Sequence, residues 1–308
     1  MIVPAVISII LVAGCAFWGN ARIADLKDGG PQIRAAVAQA NIDQDDKWVP
    51  DMAGPTVDIY DRLTRAAVKE GAQVVVWPET SCPFFLFQQW PLTEKVIRLS
   101  EQVGVKLIVG SPAYEEEKFL NRIWLLEKGK ISGYYDKVHL VPFGEYLPLA
   151  SLIQPFFSGL TEQVGNFSTE NRPAEPLGGF GILICFESVF PGMARDLCNR
   201  GAVCLVNASN DAWFKTWSTS QQHLEMTVFR AIETRRWVLS AVNHGISAII
   251  SPRGEVKKKI GLLKEGFIVE NITSGSAVTF YTKYGPVIAF VWAGFSVIAA
   301  LTRCKAKC

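Results

Sequence analysis

The chain has 308 residues, enough for one large core or two modest ones. Its 31 basic and 29 acidic residues leave a net charge of +2, which gives no general electrostatic case for nucleic acid. Hydrophobic residues make up 49% and charged ones 19%, a balance that leans toward membrane association while leaving the middle too charged for a polytopic bundle.

The first element is the uncharged run Ile2 to Trp18. At about 17 residues it is near the lower limit of a spanning helix, with Trp18 as an interfacial aromatic. A competing reading makes it a signal peptide, since Val12-Ala13-Gly14-Cys15 looks like a lipoprotein processing site. A basic stretch should precede such a signal, and no Lys or Arg does.

From Gln32 to about Thr279 strands and helices alternate, the pattern of a layered α/β domain. Ile33–Gln39 reads as a strand, and Val57–Glu70 as a helix with Val57, Tyr60, Leu63, Ala67 and Val68 at helical spacing. Val74–Trp77 is apolar throughout, as a strand buried on both faces would be. Glu94–Gln102 is the next helix and Lys106–Gly110 the next strand. Arg122–Glu127 and Lys130–Tyr135 flank the hairpin signal Lys128-Gly129. Residues 148–176 lack periodicity and form a long loop, of the kind that serves as a lid. Phe180–Cys185 and Val203–Asn207 are buried strands, Gln221–Trp237 a helix. Ile246–Ile250 and Glu255–Ile260 flank a second hairpin at Pro252-Arg253-Gly254.

The last apolar run, Gly285 to Leu301, contains Trp292 and precedes Arg303, Lys305 and Lys307. The positive-inside rule puts that tail in the cytoplasm and the residues between the runs outside it. Arg22 and Lys27, just after the first run, pull the other way.

Three residues at element ends have reactive side chains: Glu79 after Val-Val-Val-Trp-Pro, Lys137 after the first hairpin, and Cys185 at the end of an apolar strand. Each alone has a bland reading: a turn-capping carboxylate, a surface lysine and an inert core thiol. Together they are the parts of a Cys-nucleophile acyl-transfer site. A free thiol, with a pKa of about 8.5, needs a base or a nearby cation to react well at neutral pH. Glu79 would take the thiol proton, and Lys137 would stabilise the oxyanion. Pro78 cannot donate to a ladder, so pairing should end beside Glu79. The seven Cys have no CxxC spacing and the three His (139, 223, 244) are scattered, so neither a metal nor another cofactor is expected. Seven is odd, so at least one thiol is free or pairs with another chain.

The order Glu79, Lys137, Cys185 resembles the nitrilase (carbon–nitrogen hydrolase) superfamily. The flanks are similar to its apolipoprotein N-acyltransferase branch. The matching stretches include Ala38 to Ile42 with Lys47-Trp48, Trp77 to Thr80, Lys137 to Pro148, Cys185 to Glu187, Asn207 to Phe214, Gln222-His223-Leu224 and Arg230 to Glu233. The resemblance implies an α/β fold, a nitrilase-type α-β-β-α sandwich over 23–282. A transmembrane helix would flank it at each end, over 1–22 and within 283–308, the latter with a short basic cytoplasmic tail. It implies a Glu79–Lys137–Cys185 triad, with Glu145 as a second carboxylate orienting Lys137 and the amine. Glu187 and Trp48 match residues used around the site, and Phe186 stands where a Tyr is common. The implied reaction takes an acyl chain from a phospholipid onto Cys185, then passes it to the amine of a diacylglyceryl-cysteine lipoprotein. The implied setting is the bacterial inner membrane, with the catalytic domain on the periplasmic side. Aromatic and aliphatic residues in 83–87, 152–153 and 155–157 would meet lipid or fill core.

This family usually has several membrane helices before the catalytic domain, and here there is room for one. A fragment, a shortened variant, or a bundle supplied by a partner would each account for this. Two other functions remain open: a nitrilase-type amidase or hydrolase, and an inactive membrane-tethered homologue.

Overall fold

Val74, Val75 and Val76 are all buried because strand β2 (Val74–Val76) is covered on both faces. Alternation along the strand sends Val74 and Val76 to one side and Val75 to the other. The computed structural model in which this is seen describes residues 2–25, 29–148, 167–169, 174–213, 216–287, 289–294 and 296.

One six-stranded mixed sheet has the order β11-β1-β2-β3-β4-β5. Its strands are β1 (Gln32–Gln39), β2, β3 (Lys106–Glu115), β4 (Lys118–Glu127), β5 (Lys130–Asp136) and β11 (Gly266–Thr273). A five-stranded mixed sheet has the order β10-β9-β8-β7-β6. It is built from β6 (Phe180–Ile184), β7 (Cys204–Asn210), β8 (Val238–Asn243), β9 (Ser247–Ile250) and β10 (Val256–Ile260). β1, β2 and β3 run parallel, as do β6, β7 and β8.

The two sheets pack face to face. Ala35, Val37, Val74, Val76 and Ile108 of the first meet Ile182, Ile184, Val206 and Leu239 of the second. Outside the first sheet, Val57, Tyr60, Leu63 and Leu99 of helices α3 (Ala53–Lys69) and α4 (Trp90–Val103) cover Val75 and Leu107. Outside the second, Met193 and Leu197 of α5 (Pro191–Asn199) and Leu224 and Ala231 of α6 (Trp217–Thr234) cover Leu183, Leu205 and Val238. The result is the expected four-layer α-β-β-α sandwich. It brings the carboxyl ends of β2, β6 and β7 to one rim, where open parallel sheets place ligands.

Most expected elements are present with shifted ends. α4 begins four residues early because Pro91 occupies its first turn, where the missing N–H costs nothing. β3 runs on to Glu115, since its hairpin with β4 pairs ten residues on each strand. α6 stops at Thr234 because Arg235 is left-handed (φ +54°), and the residues from Val238 become β8. Neither β8 nor β11 has a clear sequence signal. β11 reads Gly-Phe-Ile-Val-Glu-Asn-Ile-Thr and is defined by its antiparallel register with β1.

The first apolar run forms helix α1 (Ile2–Asp25), whose described side chains Ile9, Ile10, Val12, Phe17 and Trp18 are exposed. Among the described residues no helix is long and apolar enough to cross a membrane. The second apolar run and the 148–176 loop lie partly or largely outside the described residues. All five described cysteines, at 15, 82, 185, 198 and 204, are free.

The turn after β2 depends on a glycine in β3. A Cβ at Gly110 would stand 2.5 Å from Pro78 O, 2.6 Å from Thr80 N and 2.9 Å from Glu79 Cα. All three are backbone atoms, so the turn would have to move. Gly110→Ala is expected to lower stability by about 2 kcal/mol or more, as overpacking does, read from urea denaturation midpoints. A midpoint equal to that of the unmodified chain would show that the turn is not held by this contact.

Candidate active site

Glu79 sits where β2 stops pairing. Trp77 N still donates to Ile108 O (2.8 Å), Pro78 has no N–H to give, and Thr80 turns left-handed (φ +45°). Non-glycine residues reach that region only where the surroundings hold them there. The Glu79 carboxylate accepts from Asn121 Nδ2 (2.6 Å), Lys137 Nζ (3.2 Å) and the main-chain N of Asn210 (3.0 Å), so groups from both sheets hold it. Behind the turn, Lys47 of helix α2 (Gln44–Lys47) donates to Glu79 O (3.2 Å) and Thr80 Oγ1 (2.7 Å).

Lys137 follows β5, and its main-chain N donates to Asn121 O (2.9 Å), continuing the β4–β5 register. Its neighbour Asp136 is gripped at both oxygens by the buried Arg122 guanidinium (2.6 and 2.8 Å), which fixes where the strand ends. The Lys137 ammonium is 1% exposed and stands between Glu79 Oε1 and Glu145 Oε1 (2.9 Å). Burial alone would push its pKa down. The charges of Glu79, Cys185 and Glu145 outweigh burial and hold it well above the usual lysine range. Glu145 is in turn held by Val141 N (2.8 Å) and shares Asn121 Nδ2 (3.3 Å).

Cys185 is the first residue after β6, at a left-handed φ of +52°, and is 8% exposed. This strained strand-to-turn junction presents the side chain at the rim of the sheet. Its thiol lies within electrostatic reach of Glu79 and Lys137. Burial, then the Glu79 charge, push the thiol up to about 12, against the opposing pull of Lys137. The thiol therefore rests protonated at neutral pH and needs a base.

Two buried groups hold this junction. The Glu187 carboxylate, fully buried, accepts from Ile184 N (2.8 Å), Val138 N (2.7 Å), His139 N (3.0 Å) and Tyr135 OH (3.0 Å). It ties the residues after Lys137 to the residue before Cys185. On the other side, Ser188 Oγ donates to Cys185 O (2.8 Å), and His223 Nε2 lies 3.1 Å from the same oxygen. His223 Nδ1 faces Asp211 Oδ1 (3.0 Å). Burial would lower the His223 pKa, but the hydrogen bond and charge of Asp211 raise it overall. Ser188, His223 and Asp211 are spaced like a hydrolytic triad, yet Ser188 Oγ is fully buried and spends its proton on the Cys185 carbonyl.

Trp48 and Phe186 stand at the edges. Trp48 is 46% exposed and lines an apolar cleft of 390 Å³ with Pro83, Phe84, Phe85, Phe119 and Phe167. Phe167 N donates to Glu145 O (3.0 Å), so the cleft adjoins the carboxylate cluster. Phe186 is half-buried and packs edge-on against Phe190 with centroids 5.0 Å apart. Among the described residues no group of three or more His, Cys, Asp or Glu side chains is disposed to hold a metal ion.

The structure thus brings Glu79, Lys137, Cys185, Glu145 and Glu187 together and leaves Trp48 and Phe186 at the periphery. Residue by residue, the sequence does not single out Lys47, Asn121, Asp211 or His223. Lys47, Asp211 and His223 do lie inside the stretches that carry the family resemblance, which is the signal that could have found them. Asn121 lies in the part of β4 that the sequence does not mark as strand.

The carbon-nitrogen hydrolase family model matches residues 34–280. The chain is 38% identical over 306 residues to the apolipoprotein N-acyltransferase of Geobacter metallireducens, covering 96% of this chain and 58% of that one. It is 30% identical to the apolipoprotein N-acyltransferase of Pseudomonas aeruginosa, covering 83% of this chain and 51% of that one. The chain therefore spans little more than half the length of these curated relatives. Among solved structures, an amidase double mutant from Nesterenkonia sp. AN1 in complex with acrylamide superposes with a TM-score of 0.62. It is 19% identical and covers 87% of this chain and 99% of the amidase. A carbon-nitrogen hydrolase from Helicobacter pylori gives 0.59 at 16% identity, covering 85% and 93%. At such identities the likeness is one of fold: the two-sheet nitrilase-type sandwich.

Glu187 offers a test of how the site is held. Replacing it with Gln keeps the volume but turns an NH₂ toward main-chain donors. Glu187→Gln is expected to cost about 2 kcal/mol through unsatisfied buried groups. Burial raises the Glu187 pKa to about 7, against the main-chain donors that lower it. A carboxyl raised on folding stabilises below its unfolded pKa and loses that contribution as pH rises through the folded one. The deficit of the Gln variant should therefore be larger near pH 5 than above about pH 7.5. Denaturation midpoints running parallel across that range would contradict this.

Proposed function

This chain belongs to the carbon-nitrogen hydrolase family, and on that premise we propose that it is an N-acyltransferase. In this reading it moves a fatty acyl chain from a phospholipid, through a Cys185 thioester, to the N-terminal amine of a diacylglyceryl-cysteine lipoprotein. The observation that carries this reading is the apolar cleft lined by Trp48, Phe85, Phe119 and Phe167 beside the buried Glu79–Lys137–Glu145 cluster. A water-using amidase for small amides has no need of 390 Å³ of aromatic-lined space, whereas an acyl chain does. The relatives named apolipoprotein N-acyltransferase support the same choice.

In the proposed first step Glu79 takes the Cys185 proton while sulfur attacks the ester carbonyl. The oxyanion forms against the Lys137 ammonium. Collapse breaks the carbon–oxygen bond, and Glu79 returns its proton to the departing lysophospholipid oxygen. In the second step the neutral lipoprotein amine attacks the thioester and gives a proton to Glu79. The carbon–sulfur bond then breaks, the amide is complete, and the proton returns to Cys185. A thiolate is the better leaving group in this second step, which suits a thiol nucleophile.

Glu145 is assigned to orienting Lys137, Glu187 to joining the Lys137 and Cys185 segments, and Trp48 and Phe186 to the substrate-facing rim. The exposed apolar residues of α1 would face lipid in a bacterial inner membrane, with the catalytic domain on its periplasmic side.

Cys185→Ala is expected to abolish acyl-enzyme formation. Intact-mass spectrometry after incubation with phospholipid vesicles reads this, and an adduct persisting on the Ala variant would overturn the assignment. Glu79→Gln should slow both thioester formation and its aminolysis by roughly 100-fold or more, since one group serves as base and then acid. Normal build-up and turnover in that variant would remove Glu79 from this role. A thioester that decays to free fatty acid without accepting an amine would favour a hydrolase.

A further inference from the structure

Lys47 is 2% exposed, yet the partners of its ammonium are neutral oxygens, Glu79 O and Thr80 Oγ1. Among the described residues no carboxylate oxygen stands within salt-bridge distance of it. A buried ammonium without a counter-charge is costly to keep. Lys137, the other buried lysine of the site, has two carboxylates within 3.2 Å. One lysine is over-supplied with negative charge and its neighbour has none in contact.

That imbalance bears on the thiol. Lys137, Glu79 and Glu145 together carry one negative charge in excess. When Glu79 takes the thiol proton, that excess negative charge moves to sulfur, while Lys137 stays shared with Glu145. Lys47, clamped on the Glu79 turn, is the second buried ammonium at this place. Burial lowers its pKa to about 8, and the charges of Glu79 and Cys185 act in the opposite direction. Its hydrogen bond to Glu79 O puts it on the residue that would take the thiol proton. The other charged groups nearby are Lys137 and Glu145 beyond Glu79, Asp43, Asp45 and Asp46 on its own segment, and Asp211 with His223 on the Cys185 side.

We propose that Lys47 is a positioning residue of the site: clamped on Glu79 O and Thr80 Oγ1, its ammonium holds the strained Glu79 turn and offsets the negative charge that Cys185 acquires as a thiolate. This rests on Cys185 being the nucleophile, but not on the identity of the acyl donor.

The test is the rate of Cys185 alkylation by iodoacetamide at pH 7, where Lys47 carries its charge, on the full chain, followed peptide by peptide with mass spectrometry. Cys82 and Cys204, at 0% and 2% exposure, report in the same experiment whether a variant has unfolded. Lys47→Met and Lys47→Gln should slow the reaction about tenfold, as a thiol pKa raised by about one unit would. Lys47→Arg keeps the charge and should stay within about threefold of the unmodified chain. The Gln variant keeps a donor on a side chain one bond shorter, so it reads the charge even if Met at this position disturbs folding. A folded Gln variant that alkylates Cys185 at the unmodified rate would overturn the proposal. So would an Arg variant slowed as far as Gln, which would mean that packing rather than charge is at work. No lipid enters this measurement. A slowed rate with no acyl adduct from phospholipid would therefore sink the acyltransferase reading while leaving Lys47 its role.

Discussion

A fully buried ammonium between two carboxylates is the constraint around which this structure is organised. Lys137 cannot be placed where it is unless Glu79 and Glu145 arrive with it. Those carboxylates must in turn be held by fixed donors. Asn121 Nδ2, Asn210 N and Val141 N supply them from three separate segments. The charged cluster is therefore also a structural knot, joining β2, β4, the end of β5 and the end of β7.

Two strained main-chain positions adjoin this knot, Thr80 and Cys185, both left-handed. Each is held through a carbonyl oxygen by a buried side chain. Lys47 holds the Glu79 carbonyl beside Thr80, and Ser188 with His223 holds that of Cys185. Glu187 then sets the distance between the Lys137 and Cys185 segments by accepting from both. Strain of this kind persists only where the surroundings over-determine it. Here the surroundings are buried polar groups whose partners are main-chain atoms, so the geometry does not depend on flexible surface contacts.

The layered fold explains why these residues meet. Strands buried on both faces read as continuous apolar runs, which is why Val74–Val76 and Phe180–Ile184 are legible in the sequence alone. The hairpins at Lys128-Gly129 and Pro252-Arg253-Gly254 are equally plain, because turn residues carry local conformational demands. β8 and β11 are less so. β8 follows a helix after only three residues, and β11 pairs with β1 from the far end of the domain. Nothing local marks a strand whose partner is that distant.

For the site the division is similar. Glu79, Lys137 and Cys185 sit at element ends, and an apolar run that stops on a reactive residue is visible one residue at a time. Their residue types and order, with the flanking stretches, marked the family. Lys47, Asn121, Asp211 and His223 sit in short or polar stretches where each has an ordinary local reading. Only the tertiary structure decided that Lys47 lies behind the Glu79 turn, that Asn121 spans two carboxylates and that His223 reaches the Cys185 carbonyl. The physical reason is that burial and charge coupling belong to pairs of groups far apart in sequence. A chain read in order shows the groups, while the low-dielectric contact that changes their chemistry exists only once the sheets have closed on each other.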